Sequence, residues 1–282
     1  MTNHGVLQTQ RLGQHLTAAG VRFTKIFSSD LQRARITADA IGQAQSRSPL
    51  AANNAALPTI QLPILREQDF GFFEGKSWSL RLPDVITADD PRSKPDFRDK
   101  ETPEAIAQRA NLFLESHLLP LLLAEQEPDQ EHVVAVVSHG ITLSVLWRCL
   151  LLRFGPQTVN IGPAVRHSAS FTPLEYLPGW SNTGYLELEI RRLIRDPVPS
   201  VVPIPVSNNM PGAPPPEYPT LLENVATTSV PGGLIGWGII IKTVNGKDHL
   251  MNLKRTGGGV GSAKHDERQK KIEGFFKKDP SK

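Results

Sequence analysis

Three side chains far apart in the sequence have the types and settings that proton transfer and anion binding require: Arg33, Glu67 and His139. His139 closes the run Val133-Val134-Ala135-Val136-Val137-Ser138 and is followed by Gly140. Such an apolar, β-branched run reads as a strand buried on both faces. Ligands in open α/β sheets collect beyond the carboxyl ends of strands, so an imidazole placed there can act on one. A local cap of the strand is the plainer role. Residues 141–153 read as a helix whose N-terminal amides and dipole suit an anion. Arg33 stands in the first turn after a short strand near Phe27, where a guanidinium can fork onto phosphate oxygens. A solvated helix arginine, like Arg35, is its alternative. Glu67 precedes Phe70, Gly71, Phe72 and Phe73. Apolar bulk beside a carboxyl favours its protonated, proton-donating form. A surface ion pair with Arg66 or a lysine is the other reading, and Glu74 competes for the same role.

These residues need elements to hold them. Val6, Leu7, Leu12 and Leu16 recur at helical spacing and predict a helix over residues 5–19, stopped by Gly20. A strand over 25–27 follows, then Ser28-Ser29-Asp30, where Ser29 or Asp30 is placed to cap a helix over 31–43. Residues 46–63 read as a loop, and 83–103, with several Pro and Asp, as an exposed insertion or lid. Thr102-Pro103 opens a long helix to about Ala124, with Pro120 placed to kink or divide it. The alternation of Tyr185, Leu186, Leu188 and Ile190 against Glu187 and Glu189 predicts a strand.

The chain changes character after Arg195. Residues 196–219 are Pro-rich and read as a linker. Within 220–282, two apolar runs flank Asn245-Gly246, a hairpin signal because both turn positions tolerate positive φ. Residues 265–278 read as a basic helix, and from Lys242 onward eleven Lys and Arg face five Asp and Glu. The domains predicted are therefore a core over 1–195, a linker over 196–219 and an extension over 220–282.

Composition narrows the function. The 282 residues suffice for a large core. No apolar run reaches the length of a membrane span, and the start lacks the regions of a signal peptide. Cys149, the single cysteine, rules out an internal disulfide and a Cys-based zinc site. It reads as a small core residue. The expectation is an intracellular, cytoplasmic protein. A net charge of +3 suits phosphorylated small molecules and does not point to a nucleic-acid partner. His249 and His265 lack a second ligand at metal-site spacing.

The order of the segments adds a family reading. Ser29 to Ala38 resembles the SxLxRAxxTA motif of the histidine phosphatase superfamily, the phosphoglycerate mutase-like proteins. Leu65 to Gly75 is similar to its LxExxxGxxEG segment, Val136-Val137-Ser138-His139-Gly140 to its second-histidine motif, and Thr2 to Leu12 to its LTxxGxxQAxxL helix. The resemblance spans residues 2–190. It implies an α/β fold of three layers, helix–sheet–helix, with a largely parallel sheet. It also implies phosphomonoester hydrolysis or phosphoryl transfer through a phosphohistidine. Arg33 would bind the phosphate, His139 the transferring phosphoryl group, and Glu67 would donate a proton to the leaving oxygen. No metal or organic cofactor is implied. The partner would be a phosphorylated small molecule or a phosphoprotein, with no membrane.

In that family the attacking histidine belongs to an Arg-His-Gly motif at the end of a first strand, upstream of the helix that Thr2 opens. No segment here matches it. The resemblance therefore implies a sheet lacking its first strand. Either the sequence is incomplete at its start, the favoured reading because Arg33, Glu67 and His139 are kept, or the member cannot turn over. As written, the chain is expected to be inactive. His4-Gly5 shares letters with the motif, but its surroundings match the later helix. A non-catalytic protein that holds a phospholigand is the alternative.

Overall fold

Ile26 and Phe27 are neighbours on one strand and face opposite sides of the sheet, each almost fully buried. That alternation defines the layers. The computed structural model describes residues 1–47, 57–75, 91–95, 97–124, 131–166, 173–176, 179–193 and 233–253. Strand β1 (Lys25–Ser28) lies between β2 (Thr59–Gln61) and β3 (Val134–Val137), all parallel. Helices α1 (Asn3–Ala18) and α2 (Gln32–Ser46) cover one face, where Leu12, Ala38 and Ile41 close on Ile26 and Ala135. Helices α3 (Pro103–Phe113) and α5 (Gly140–Leu151) cover the other, with α4 (Leu119–Leu123) continuing α3. There Phe27 meets Phe113 edge-on at 5.5 Å, among Val145, Leu146 and Leu150. The expected helix–sheet–helix arrangement with a parallel sheet is present.

Two local choices explain the helices. Thr2 caps α1, its hydroxyl accepting from Gly5 N at 3.1 Å, and Gly20 (φ +82°) follows its end. Gly13 faces α2 so closely that a Cβ would stand 2.5 Å from Ala40 O. The long helix after Thr102 is divided as expected. Residues 114–118 form a π-turn ahead of Pro120, which has no N–H to give to the regular ladder.

Other expectations are corrected. Neither Ser29 nor Asp30 caps α2, whose N-cap is Leu31 without a side-chain bond. Residues 59–61, expected in a loop, form the edge strand β2. The C-terminal hairpin is absent from the described residues. Trp237–Gly246 is one strand, β6, and the expected second arm is a 3-10 turn at Asp248–Leu250. Asn245 has positive φ (46°), as the turn reading required, but the chain after Gly246 does not fold back on β6. Instead β6 lies between β4 (Val159–Ile161), parallel to it, and β5 (Tyr185–Arg192), antiparallel. Ile239 and Ile241 of β6 are fully buried in the cluster that holds α5. This part of the extension is thus built into a sheet with core strands. The Pro-rich linker and the basic helix lie outside the described residues.

Candidate active site

β1 and β3 end side by side, and the polar residues that follow them meet. Ser29 N donates to Val137 O at 2.9 Å, which aligns the two strand ends. His139 stands at the N-cap of α5 and is 6% exposed. Arg33, in the first turn of α2, donates Nε to Nδ1 of His139 at 2.9 Å. Nδ1 is therefore an acceptor, and Nε2 carries the proton. Nε2 faces the buried Ser29 Oγ at 3.0 Å and donates to it. The network fixes the tautomer. Burial, then the charges of Arg33 and Arg109, push the imidazole pKa down to about 4, with Asp30 opposing. The ring is neutral at pH 7.

Arg33 has its two terminal nitrogens in reserve. Among the described residues none bonds them, and the side chain reaches solvent. A guanidinium with two outward nitrogens beside a buried imidazole can hold a tetrahedral oxyanion by a fork.

Glu67 comes from the segment after β2. Its Oε1 accepts from Gln68 N at 3.0 Å, Thr142 N at 3.2 Å and Thr142 Oγ1 at 3.3 Å. Thr142 is three residues past His139, so the carboxylate is anchored to the first turn of the helix His139 opens. The anion expected at that helix N-terminus is thus supplied by the protein itself. Phe72 meets Phe73 at 5.4 Å and Phe97 at 5.6 Å, while Glu67 stays half-buried. Glu74 is used locally, accepting from Phe70 N at 3.0 Å. Gly71 (φ +56°) lies where a Cβ would stand 2.3 Å from Arg98 O and from Asp99 O, so the 97–101 segment seats directly on this turn.

Four further residues build the site. Asp30 takes a two-pronged ion pair from Arg66, with Nε–Oδ1 at 2.7 Å, which holds its carboxyl below the usual range. Arg109 donates to Ile64 O at 2.8 Å and Arg66 O at 2.6 Å, and to Glu101 at 2.7 and 3.0 Å. Its Nη2 also reaches Thr142 Oγ1 at 3.3 Å. Glu101 Oε2 accepts from Asp69 N at 3.2 Å. A cleft of about 440 Å³ opens beside Glu67, lined among others by Arg66, Asp69, Arg98, Lys100, Glu101 and Arg109. Nothing in the sequence separated Arg109 from an ordinary helix arginine. Thr142 carried a faint signal, lying one helical turn beyond the flagged histidine. His4, in the first turn of α1, makes no hydrogen bond to Arg33, Glu67 or His139. Among the described residues there is no group of three or more metal-ligating side chains, and no helix is long and apolar enough to cross a membrane.

The model of the histidine phosphatase superfamily, branch 1, matches residues 1–180. The chain belongs to this superfamily. The chain is also similar to solved structures. A mycobacterial glucosyl-3-phosphoglycerate phosphatase in complex with inorganic phosphate is 20% identical, covering 65% of this chain and 77% of its own, at a TM-score of 0.41. The phosphoglycerate mutase of Bacillus anthracis is 23% identical, covering 53% and 68%, at 0.36. A putative alpha-ribazole-5'-P phosphatase of Escherichia coli is 27% identical, covering 52% and 64%, at 0.35. No curated protein matches the chain. In this superfamily member the second-histidine motif and the SxLxRAxxTA motif are the two segments that meet through the Arg33–His139 bond.

Proposed function

We propose that this histidine phosphatase superfamily protein binds a phosphomonoester, or a phosphate on a protein, with Arg33 and His139 holding the phosphoryl group. The observation that carries the reading is the 2.9 Å bond from Arg33 to a buried imidazole, with two guanidinium nitrogens turned outward. Glu67, held on the same helix turn, is the proton donor to the leaving oxygen and later the base for water. The family reaction is hydrolysis or transfer through a phosphohistidine, with the equatorial oxygens stabilised by the arginine and histidine. No metal or organic cofactor takes part in this reading.

The 282-residue chain itself is proposed to bind without turning over at family rates. Among the described residues, no second imidazole bonds the Arg33–His139 pair or Glu67. Phosphoryl capture requires a nucleophile in line with the leaving oxygen, and His139 has its two nitrogens engaged by Arg33 and Ser29. The test joins an aryl phosphate assay with thermal unfolding in inorganic phosphate. Phosphate is expected to raise the melting temperature of the wild type and not of Arg33→Ala, with no turnover. Turnover that disappears in His139→Ala would overturn the inactivity. Equal protection of both proteins would overturn the site.

A further inference from the structure

We infer that oxyanion binding at the Arg33–His139 pair takes up one proton, which goes to Nδ1 of His139. This rests on the phosphate-binding reading above. In the structure Nδ1 presents a lone pair to Arg33 Nε at 2.9 Å, and Nε2–H is committed to Ser29 Oγ at 3.0 Å. An oxyanion oxygen carries only lone pairs, so it cannot take Arg33's place at Nδ1 until that nitrogen bears a proton. There are two ways to supply one. The ring can gain a proton from solvent and become an imidazolium that keeps its bond to Ser29. Otherwise it can move its proton from Nε2 to Nδ1, leaving Nε2 bare and requiring Ser29 to reverse its hydroxyl.

Charge favours the first route. The groups around the ring are Arg33 from α2, Asp30 from the turn before it, and Arg109 from α3. Arg66 and Glu67 lie on the segment bonded to Thr142. Burial and the two guanidinium charges from Arg33 and Arg109 keep the ring neutral. A doubly charged tetrahedral anion beside Arg33 offsets those charges and attracts the imidazolium directly. Asp30 already acts in the same sense, although Arg66 shares its charge. Ser29 Oγ accepts from Leu31 N at 3.2 Å in either case, so charge, and not the hydroxyl, decides between the two routes. The site is therefore an anion receptor that fills more readily as pH falls toward 6.

Sulfate is the probe, because it does not titrate in this range. Calorimetric titration of the full chain with sodium sulfate at pH 6.5, in buffers of different ionisation heat, counts the protons taken up. The expected count is close to one. The dissociation constant should rise by about tenfold per pH unit between pH 6.5 and 8, as one linked proton requires. His139→Asn should lose that slope. Nitrogen-15 spectra of the wild-type histidine rings give a reading that needs no variant. Sulfate should convert the His139 signals from neutral, Nε2-protonated to imidazolium. Saturable binding with no proton uptake and a neutral, Nδ1-protonated ring would overturn this inference and leave the phosphate site standing. No saturable binding at any pH would overturn both.

Discussion

At the scale of single residues, Arg33 and His139 were legible because each follows a recognisable strand end, and Glu67 because of the aromatic residues beside it. Their partners were not. Ser29 reads in the sequence as a helix cap, yet its hydroxyl is the partner of Nε2 of His139, whose tautomer Arg33 fixes. Neighbouring aromatic letters do not say which way the rings turn, and Phe72 packs on Phe73 and Phe97. The buried imidazole has a consequence for stability. Its folded pKa, near 4, is depressed from 6.5, so the folded state refuses a proton that the unfolded chain accepts. Stability from this group is full above about pH 6.5 and is lost as pH falls toward 4, at about 1.4 kcal/mol per unit. Urea unfolding at pH 7 and pH 5 should show the wild type losing about 2 kcal/mol more than His139→Asn over that interval. An equal loss in both would show that the ring is not held neutral.

At the scale of elements, helices with clear caps or stops were readable, and short strands were not. β2 has three residues and only its first is even half-buried, so it leaves no apolar pattern to find. The α1–α2 contact was also invisible, because a glycine at a helix crossing looks like any helix glycine. Gly13→Ala should cost about 2 kcal/mol in denaturant unfolding, since its Cβ would press on Ala40 O rather than on a mobile side chain. No loss would mean that the helices stand further apart. The Arg109–Glu101 pair is mostly shielded, with side-chain exposures of 16% and 18%. Arg109→Met should cost about 3 kcal/mol by stranding the Glu101 carboxylate and Ile64 O, while Arg66 O keeps the Thr142 hydroxyl. Adding Glu101→Met should recover part of that loss, and a double variant as unstable as the single one would count against the stranded charge as its cause.

At the scale of the molecule, the layered α/β architecture was legible from the order of strands and helices together with the family motifs. The place of the C-terminal strand was not. Asn245-Gly246 carries a strong hairpin signal, but the partners of β6 are β4 and β5, some 50 to 80 residues earlier in sequence. Burial of Ile239 and Ile241, legible in the apolar run, helps set the register, but no local pattern reports which distant strands they meet. β4 and β5 pair only with β6 among the described strands. A chain ending before residue 233 should therefore lose this sheet and become sensitive to proteolysis. Ile239→Ala and Ile241→Ala should each cost about 3 kcal/mol. The central claim is that the ends of β1 and β3 form one oxyanion receptor, and a crystal grown with tungstate tests it most directly. The account predicts anomalous density for tungsten beside the pair, with tungstate oxygens within hydrogen-bonding reach of the Arg33 terminal nitrogens and Nδ1 of His139. Tungstate bound elsewhere, with Arg33 still on His139, would contradict it.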